Sequence, residues 1–340
     1  MAELGPSPLA SGDELPVEAA RAAIADALRP ISDEQTVPLA QALGRVLAAD
    51  VVSPIDVPAH DNSAMDGYAL HGADLRADMP TVLRAVAGTV FAGAPHAGAV
   101  ARGEAIRIMT GAVMPAGLDT VVPIELCTVQ GDGLSIAAGV LKAGENRRKR
   151  GEDLARGGIA LPHGRLLRPA DLGLAASLGL DRLKVFRPLR VALFSTGDEL
   201  RAPGQPLPPG CIYDSNRAGL LGALQRLGVE VLDLGLVPDD PAQLRATVDR
   251  AIEEADAVVT SGGVSMGDAD YTRDLLAARG EVAFWKVAMR PGRPFAFGPL
   301  HRADGGSTWL FALPGNPVAA LVTFYAFVRE ALLALAGAEA

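Results

Sequence analysis

The chain has 340 residues, a formal net charge of −9, 49% hydrophobic residues, 38 glycines and 25 prolines. That acidity disfavours a general nucleic-acid binder, because neutralising phosphates needs a surplus of Lys and Arg, yet it leaves room for a small anion in a local cationic pocket. The length allows two or three domains, and with aromatics at 4% their cores rest on Ala, Val and Leu.

Cys127 and Cys211 stand far apart and outside any CxxC spacing, so neither a disulfide framework nor a thiolate zinc site is expected. The five histidines show no metal-ligand spacing, so any metal is expected to be Mg²⁺ held by carboxylates. The start, MAELGPSPLASGDEL, is acidic and proline-bearing, unlike a signal peptide. The most apolar late stretch, 318–328, is shorter than a membrane span and runs into Arg329-Glu330. These features predict a cytoplasmic protein with no nucleic-acid or membrane partner.

In chain order, VEAARAAIADAL (17–28) predicts an amphipathic helix stopped by Pro30, and 39–47 predicts a second helical piece. From 50 to 141 short Val-rich runs alternate with Gly and Pro, which predicts a small β domain. The polar stretch 143–157 reads as a return crossing, and RPADLGLAASLGL as one more helix. Beyond Arg187 the pattern is regular, with strand runs at 190–195, 230–236, 255–259, 282–287 and 309–313. Helical runs at 215–227, 241–255, 270–278 and 317–335 separate most of them, with Asp240-Pro241 and Asn316-Pro317 as cap-then-proline starts. The expected fold is a multi-domain α/β chain ending in a doubly wound, mostly parallel sheet. Its divisions are 1–49 with 142–185 as an elongated N-terminal domain, 50–141 inserted in it, and 186–340 as the α/β domain.

Ligands of open α/β sheets bind beyond the carboxyl ends of the strands. The segments there are STGDEL, VPDDP, TSGGVSMGDADYT, KVAMRPGRP and LPGNP. Gly262-Gly263 lets backbone N–H groups approach an anion, and Ser261 and Ser265 add hydroxyls. Neither a Walker P-loop nor a GxGxxG fingerprint is present. Asp268 and Asp270 open the next helix, where a carboxylate serves equally as a cap or as a ligand to a phosphate-bridging cation. Asp198 and Glu199 form a second acidic pair, and Lys286, Arg290 and Arg293 supply cations on another loop. Such a set suits a phosphorylated or oxyanionic ligand with a metal, surface ion pairing being the plainer alternative. Arg147-Arg148-Lys149-Arg150 reads as a solvated loop or a phosphate contact, and VPAHDNSAMDGYAL is richer in carboxylate and amide groups than a linker requires.

Taken in order, DNSAMDGYA, RIMTGAVMPAGLDTVV, RRKRGED, STGDEL, IYDSN, SGGVSMGDADYT, FWKVAMRPGRPFAFG and LPGNPV resemble the MoeA/gephyrin family of molybdopterin molybdenumtransferases, over about 17–335. The resemblance implies a MogA-like α/β domain and a reaction in which molybdate and adenylyl-molybdopterin give molybdenum cofactor and AMP with Mg²⁺. It implies a homodimer, with contact to the molybdopterin adenylyltransferase. Residue by residue, it makes Asp66, Thr110, Asp153, Glu199 and Asp239 active-site groups. Ser261, Gly262, Gly263 and Ser265 would hold the substrate, Lys286 and Arg290 molybdate, Pro314 and Pro317 further cleft positions, and Asp270 the metal. A lysine is common in the family where Arg290 stands, and members usually continue into a further small β domain, which this chain is expected to lack. Two alternatives stand beside this expectation: the adenylyltransferase of the preceding step, and a molybdopterin-binding scaffold without turnover.

Overall fold

The structure is a computed structural model that describes residues 14–262 and 271–339, without side chains for 271–273. The chain forms two compact units. One comprises Asp50–Leu161 with Leu174–Leu180, and the other the remaining described residues.

The larger unit is built on a six-stranded sheet. Its strands are β1 (Arg190–Thr196), β2 (Glu230–Val237), β3 (Ala257–Ser261), β4 (Ala283–Lys286), β5 (Pro294–His301) and β6 (Ser307–Leu313). They lie in the order β2-β1-β3-β6-β5-β4. The first four of that order pair in parallel, while β5 runs antiparallel to both of its neighbours. Central strands such as Ala257–Ser261 are buried on both faces, which explains why that strand carries no charged residue and no alternation of exposed positions.

Alternate residues of the strands feed two cores. Val191, Leu193, Val259, Phe311 and Leu313 point to one face, against α1 (Val17–Ala27), α3 (Ser215–Arg226), α6 (Pro317–Thr323) and α7 (Arg329–Leu335). Ala192, Phe194, Val258, Leu310 and Ala312 point to the other, against α4 (Pro241–Glu254) and α5 (Tyr271–Arg279). α2 (Pro169–Ser177) contributes no residue to either of these two cores. Both cap-then-proline starts form: Asp240 accepts the Gln243 N–H at 2.9 Å, and Asn316 those of Val318 and Ala319.

Several expectations are corrected. The helix expected over 39–47 is a single 3₁₀ turn, Leu39–Gln41. Gly44 then adopts a left-handed φ of 73°, and Val46 and Leu47 turn to bridge Leu166 and Val185. Strand β5 has no counterpart among the expected strands, because Pro294 and Pro299 break its pattern. Pro294 opens the strand and Pro299 lies past its last pair with β4, so neither missing N–H costs a bond to that strand. The stretch 318–328 is not an isolated short segment. It lies in one 19-residue helical run, Pro317–Leu335, continuous through a π turn at Phe324–Val328 and apolar enough to cross a membrane by composition. Phe324, Phe327, Val328, Leu332 and Leu335 are buried in the first core, so the run is a core helix.

The smaller unit carries a six-stranded sheet ordered Thr120–Pro123, Gly67–Leu70, Glu104–Ile108, Thr81–Val90, Gly133–Ile136 and Cys127–Gln130. Every pairing is antiparallel except that of Thr81–Val90 with Glu104–Ile108. Two short ladders accompany it, Val51–Val52 with Ile159–Leu161 and Asn62–Ser63 with Arg147–Arg148. The arginine run expected as a return crossing therefore closes a loop of this unit.

Candidate functional site

In the larger unit, the helix after β1 lies on one face of the sheet, and the helix reached after β3 lies on the other. The strand order thus reverses between β1 and β3, and the carboxyl ends there border the crevice at which open α/β sheets bind ligands. Gly262 sits at its edge with φ of 94°, its N–H donating to the Leu313 carbonyl at 3.2 Å. A Cβ there would stand 2.5 Å from the Thr196 carbonyl oxygen, so only glycine lets the two strand ends come this close. The Thr196 hydroxyl donates to Asp239, and the Asp239 N–H donates to Asp198 at 3.2 Å. These bonds gather two of the strand-end acids. Glu199 is exposed at the base of a small flap in which Leu200–Arg201 pairs with Ile212–Tyr213. Pro314 and Pro317 flank Gly315 and Asn316 in the turn between β6 and α6.

The IYDSN stretch runs from the flap into the first turn of α3. In the structure Asp214, 2% exposed, caps α3 by accepting the Arg217 N–H, and it receives the Ser195 hydroxyl at 3.1 Å. Asn216 donates from Nδ2 to Ser261 Oγ at 2.8 Å and to the Gly315 carbonyl at 2.7 Å. The signal available in sequence was a polar residue in the first turn of a helix beside the strand-end loops, and that signal alone is too common to single it out.

Of the three cations expected on the 286–293 loop, Arg293 is engaged by Glu14. Lys286 and Arg290 have no side-chain partner among the described residues, and Arg290 is exposed. Gly263, Ser265, Asp268 and Asp270 lie outside the described residues. No group of three metal-ligating side chains occurs among the described residues. The oxygen donors Asp198, Asp239 and Thr196 nevertheless fit Mg²⁺, which keeps several waters and takes only one or two carboxylates from a protein.

The smaller unit brings together three segments far apart in sequence. Asp66 accepts the Thr110 hydroxyl at 2.6 Å and the Thr110 N–H at 2.7 Å. Those bonds hold the Asp66 carboxyl below the usual range, the hydroxyl contributing most. The 61–63 segment is stitched to 111–114 by Gly111, Met114 and Ser63 main-chain bonds, and to the arginine loop by the Arg147–Arg148 ladder. Arg148 binds both Glu152 and Asp153, which raise its pKa above the ordinary arginine value, Glu152 contributing most. Arg150 reaches Asp56 at 2.6 Å and donates its main-chain N–H to Asp61 at 2.8 Å. Three of the four residues of the basic run, Arg147, Arg148 and Arg150, thus pair with local acids. Asn146, with φ of 59°, starts this turn and ties it to Val121 through its side-chain amide.

Comparison with known proteins accounts for both units. Residues 15–179 match the MoeA N-terminal region (domain I and II), and residues 192–334 a probable molybdopterin binding domain. A molybdopterin molybdenumtransferase of Haemophilus influenzae is 46% identical over 299 residues, which covers 88% of this chain and 72% of that protein. Molybdopterin molybdenumtransferase 2 of Mycobacterium tuberculosis is 42% identical over 90% of this chain and 75% of its own length. Among solved structures, a molybdopterin biosynthesis MoeA protein of Pyrococcus horikoshii superposes with a TM-score of 0.79 at 30% identity, over 96% of this chain and 80% of that one.

Proposed function

This chain belongs to the MoeA family, the molybdopterin molybdenumtransferases of molybdenum cofactor biosynthesis, and from that premise we propose that it inserts molybdate into adenylyl-molybdopterin with release of AMP, dependent on Mg²⁺. The observation that carries the reading is the crevice between β1 and β3, with close-approach Gly262, hydroxyls from Thr196 and Ser261, and Asp198 and Asp239 beside them. A phosphorylated ligand needs hydrogen-bond donors and carboxylates for a metal, and Ser261 supplies a hydroxyl here while Asp198 and Asp239 supply the carboxylates.

Within this reading the residues divide the work. Gly262, with Gly263 and Ser265, binds the substrate's phosphate side, and Ser261 beside them also contacts the substrate. Asp239, Asp198 and Asp270 are the oxygen ligands for Mg²⁺, which supplies charge neutralisation at the phosphoanhydride when bound. Lys286 and Arg290 attract the molybdate oxyanion, since no side chain among the described residues neutralises either one. Asp66, held ionised by Thr110, is a weak base and therefore orients a donor instead of abstracting a proton. Asp153 is anchored by Arg148, and Glu199 presents an exposed carboxylate. Pro314 and Pro317 keep the β6–α6 turn rigid. We further infer a cytoplasmic homodimer that receives its substrate from the molybdopterin adenylyltransferase, and a three-part domain division at 1–49 with 142–185, 50–141 and 186–340.

The test follows AMP release from adenylyl-molybdopterin and Mg²⁺, with and without molybdate. Molybdate-stimulated release that disappears in Asp270→Ala supports the assignment. Consumption of ATP with molybdopterin would instead identify the preceding adenylyl transfer, and binding without turnover would identify a scaffold.

A further inference from the structure

The strongest unspent group in the α/β unit is the side-chain oxygen of Asn216. Both hydrogens of its amide are committed, one to Ser261 Oγ and one to the Gly315 carbonyl. The second bond fixes which way the amide lies, because a carbonyl oxygen accepts and never donates. Asn216 Oδ1 is then left buried, with no hydrogen-bond partner. A buried acceptor left unpaired carries a desolvation cost that a bound donor removes. Asn216 joins the first turn of α3, the end of β3 and the β6–α6 turn, three segments bordering the crevice at the switch in strand order.

Its immediate neighbour sharpens the chemistry. Ser261 Oγ accepts from Asn216, and among the described residues its own hydrogen has no acceptor. A fixed acceptor thus stands beside a free hydroxyl donor. A phosphate or molybdate oxygen cannot satisfy Asn216 Oδ1, because both groups are acceptors. A nitrogen heterocycle with an N–H donor beside a ring acceptor satisfies both groups at once. Resting on the molybdopterin reading above, we propose that Asn216, with Ser261, reads the amino or amide edge of the substrate's fused heterocycle and is a specificity-determining residue of this site. That edge occurs in the 2-amino-4-oxo-pteridine of the pterin and, with the same shared chemistry, in the adenine of the adenylyl group. The phosphates and the oxyanion are then left to the glycine loop and the cations.

Full-length protein is titrated by fluorescence with pterin and with lumazine, its analogue carrying oxygen in place of the 2-amino group. AMP and IMP are compared in parallel, because they differ in the same way on the purine. Wild type is expected to prefer the amino member of one pair by about tenfold, the worth of one well-placed hydrogen bond plus the cost of leaving its partner bare. The pair that discriminates identifies the ring that is read. In Asn216→Leu, similar in size but without the acceptor, that ratio is expected to fall to about one. Asn216→Asp, which keeps an acceptor, should retain a preference. A purely structural asparagine would weaken both members of a pair equally and leave the ratio unchanged, which overturns the inference. Ligands that bind wild type without discrimination overturn it alone and spare the molybdopterin reading. Failure of every ligand to bind removes both.

Discussion

Gly262→Ala is the substitution from which the geometry of the crevice predicts most. The new methyl carbon would lie 2.5 Å from the Thr196 carbonyl oxygen, whereas real Cβ atoms essentially never come within 3.0 Å of such a neighbour. One strand end must therefore retreat by roughly 0.5 Å, and neither is free to do so. Thr196 is paired to Val237 and bonded through its hydroxyl to Asp239, while Gly262 is tied to Leu313. Holding alanine at a φ of 94° costs about 1–2 kcal/mol, and displacing packed backbone about 1–3 more. A loss near 3 kcal/mol corresponds to a fall in Tm of roughly 6–12 °C for a unit of this size. Thermal unfolding followed by circular dichroism measures that fall, and a pterin titration of the surviving fold measures the distorted crevice. Gly173→Ala is the control. Gly173 is an exposed glycine within α2 that a methyl would leave unobstructed, so alanine there should hold or raise Tm. If the two variants melt together, close approach at Gly262 is not what shapes this site.

Two further substitutions probe charge. Asp256 is 9% exposed. Burial pushes its carboxyl up, but bonds from Arg187 and the Arg190 N–H outweigh that and leave it below the ordinary value. Because its folded-state pKa is depressed, its contribution is present above the unfolded value of about 4 and is lost as pH falls through the folded one. Asp256→Asn should cost about 3–5 kcal/mol at pH 7, with urea midpoints of variant and wild type converging below about pH 4. Thr110→Val removes the stronger of the two bonds that depress Asp66, so the acid limb of the pH–rate profile should move to higher pH, with Tm little changed. An unmoved limb would dissociate Asp66 from the rate.

Much of the α/β unit was legible because its elements are written in two-sided apolar strands and capped helices. Asp240-Pro241 and Asn316-Pro317 mark helix starts within a residue, since Pro at the first position and an acceptor before it meet the same backbone need. What misled was punctuation with two meanings. Proline usually ends a strand, which hides β5 in the sequence although Pro294 occupies its opening position. The 39–47 segment has helical composition, but its apolar residues are used in bridges to distant chain, a tertiary preference invisible to local propensity.

The site divides along the same line. Glycine at 262 announced close approach, because no other residue suits that backbone, and the acids at strand ends announced themselves by excess. Asn216 carried no such mark, since its importance lies in what it lacks. A polar side chain in the first turn of a helix is ordinary, and only coordinates reveal that both its donors are spent while its acceptor is buried and bare. The same holds for Asp66, whose depressed pKa depends on Thr110, 44 positions away. Composition and spacing locate the groups that bear charge, but whether a group is already satisfied is a property of three-dimensional pairing. Among the described residues Lys286 and Arg290 carry no side-chain partner, and the carboxamide oxygen of Asn216 is buried without one. The arginine run at 147–150, conspicuous in sequence, is largely consumed by Asp56, Asp61, Glu152 and Asp153.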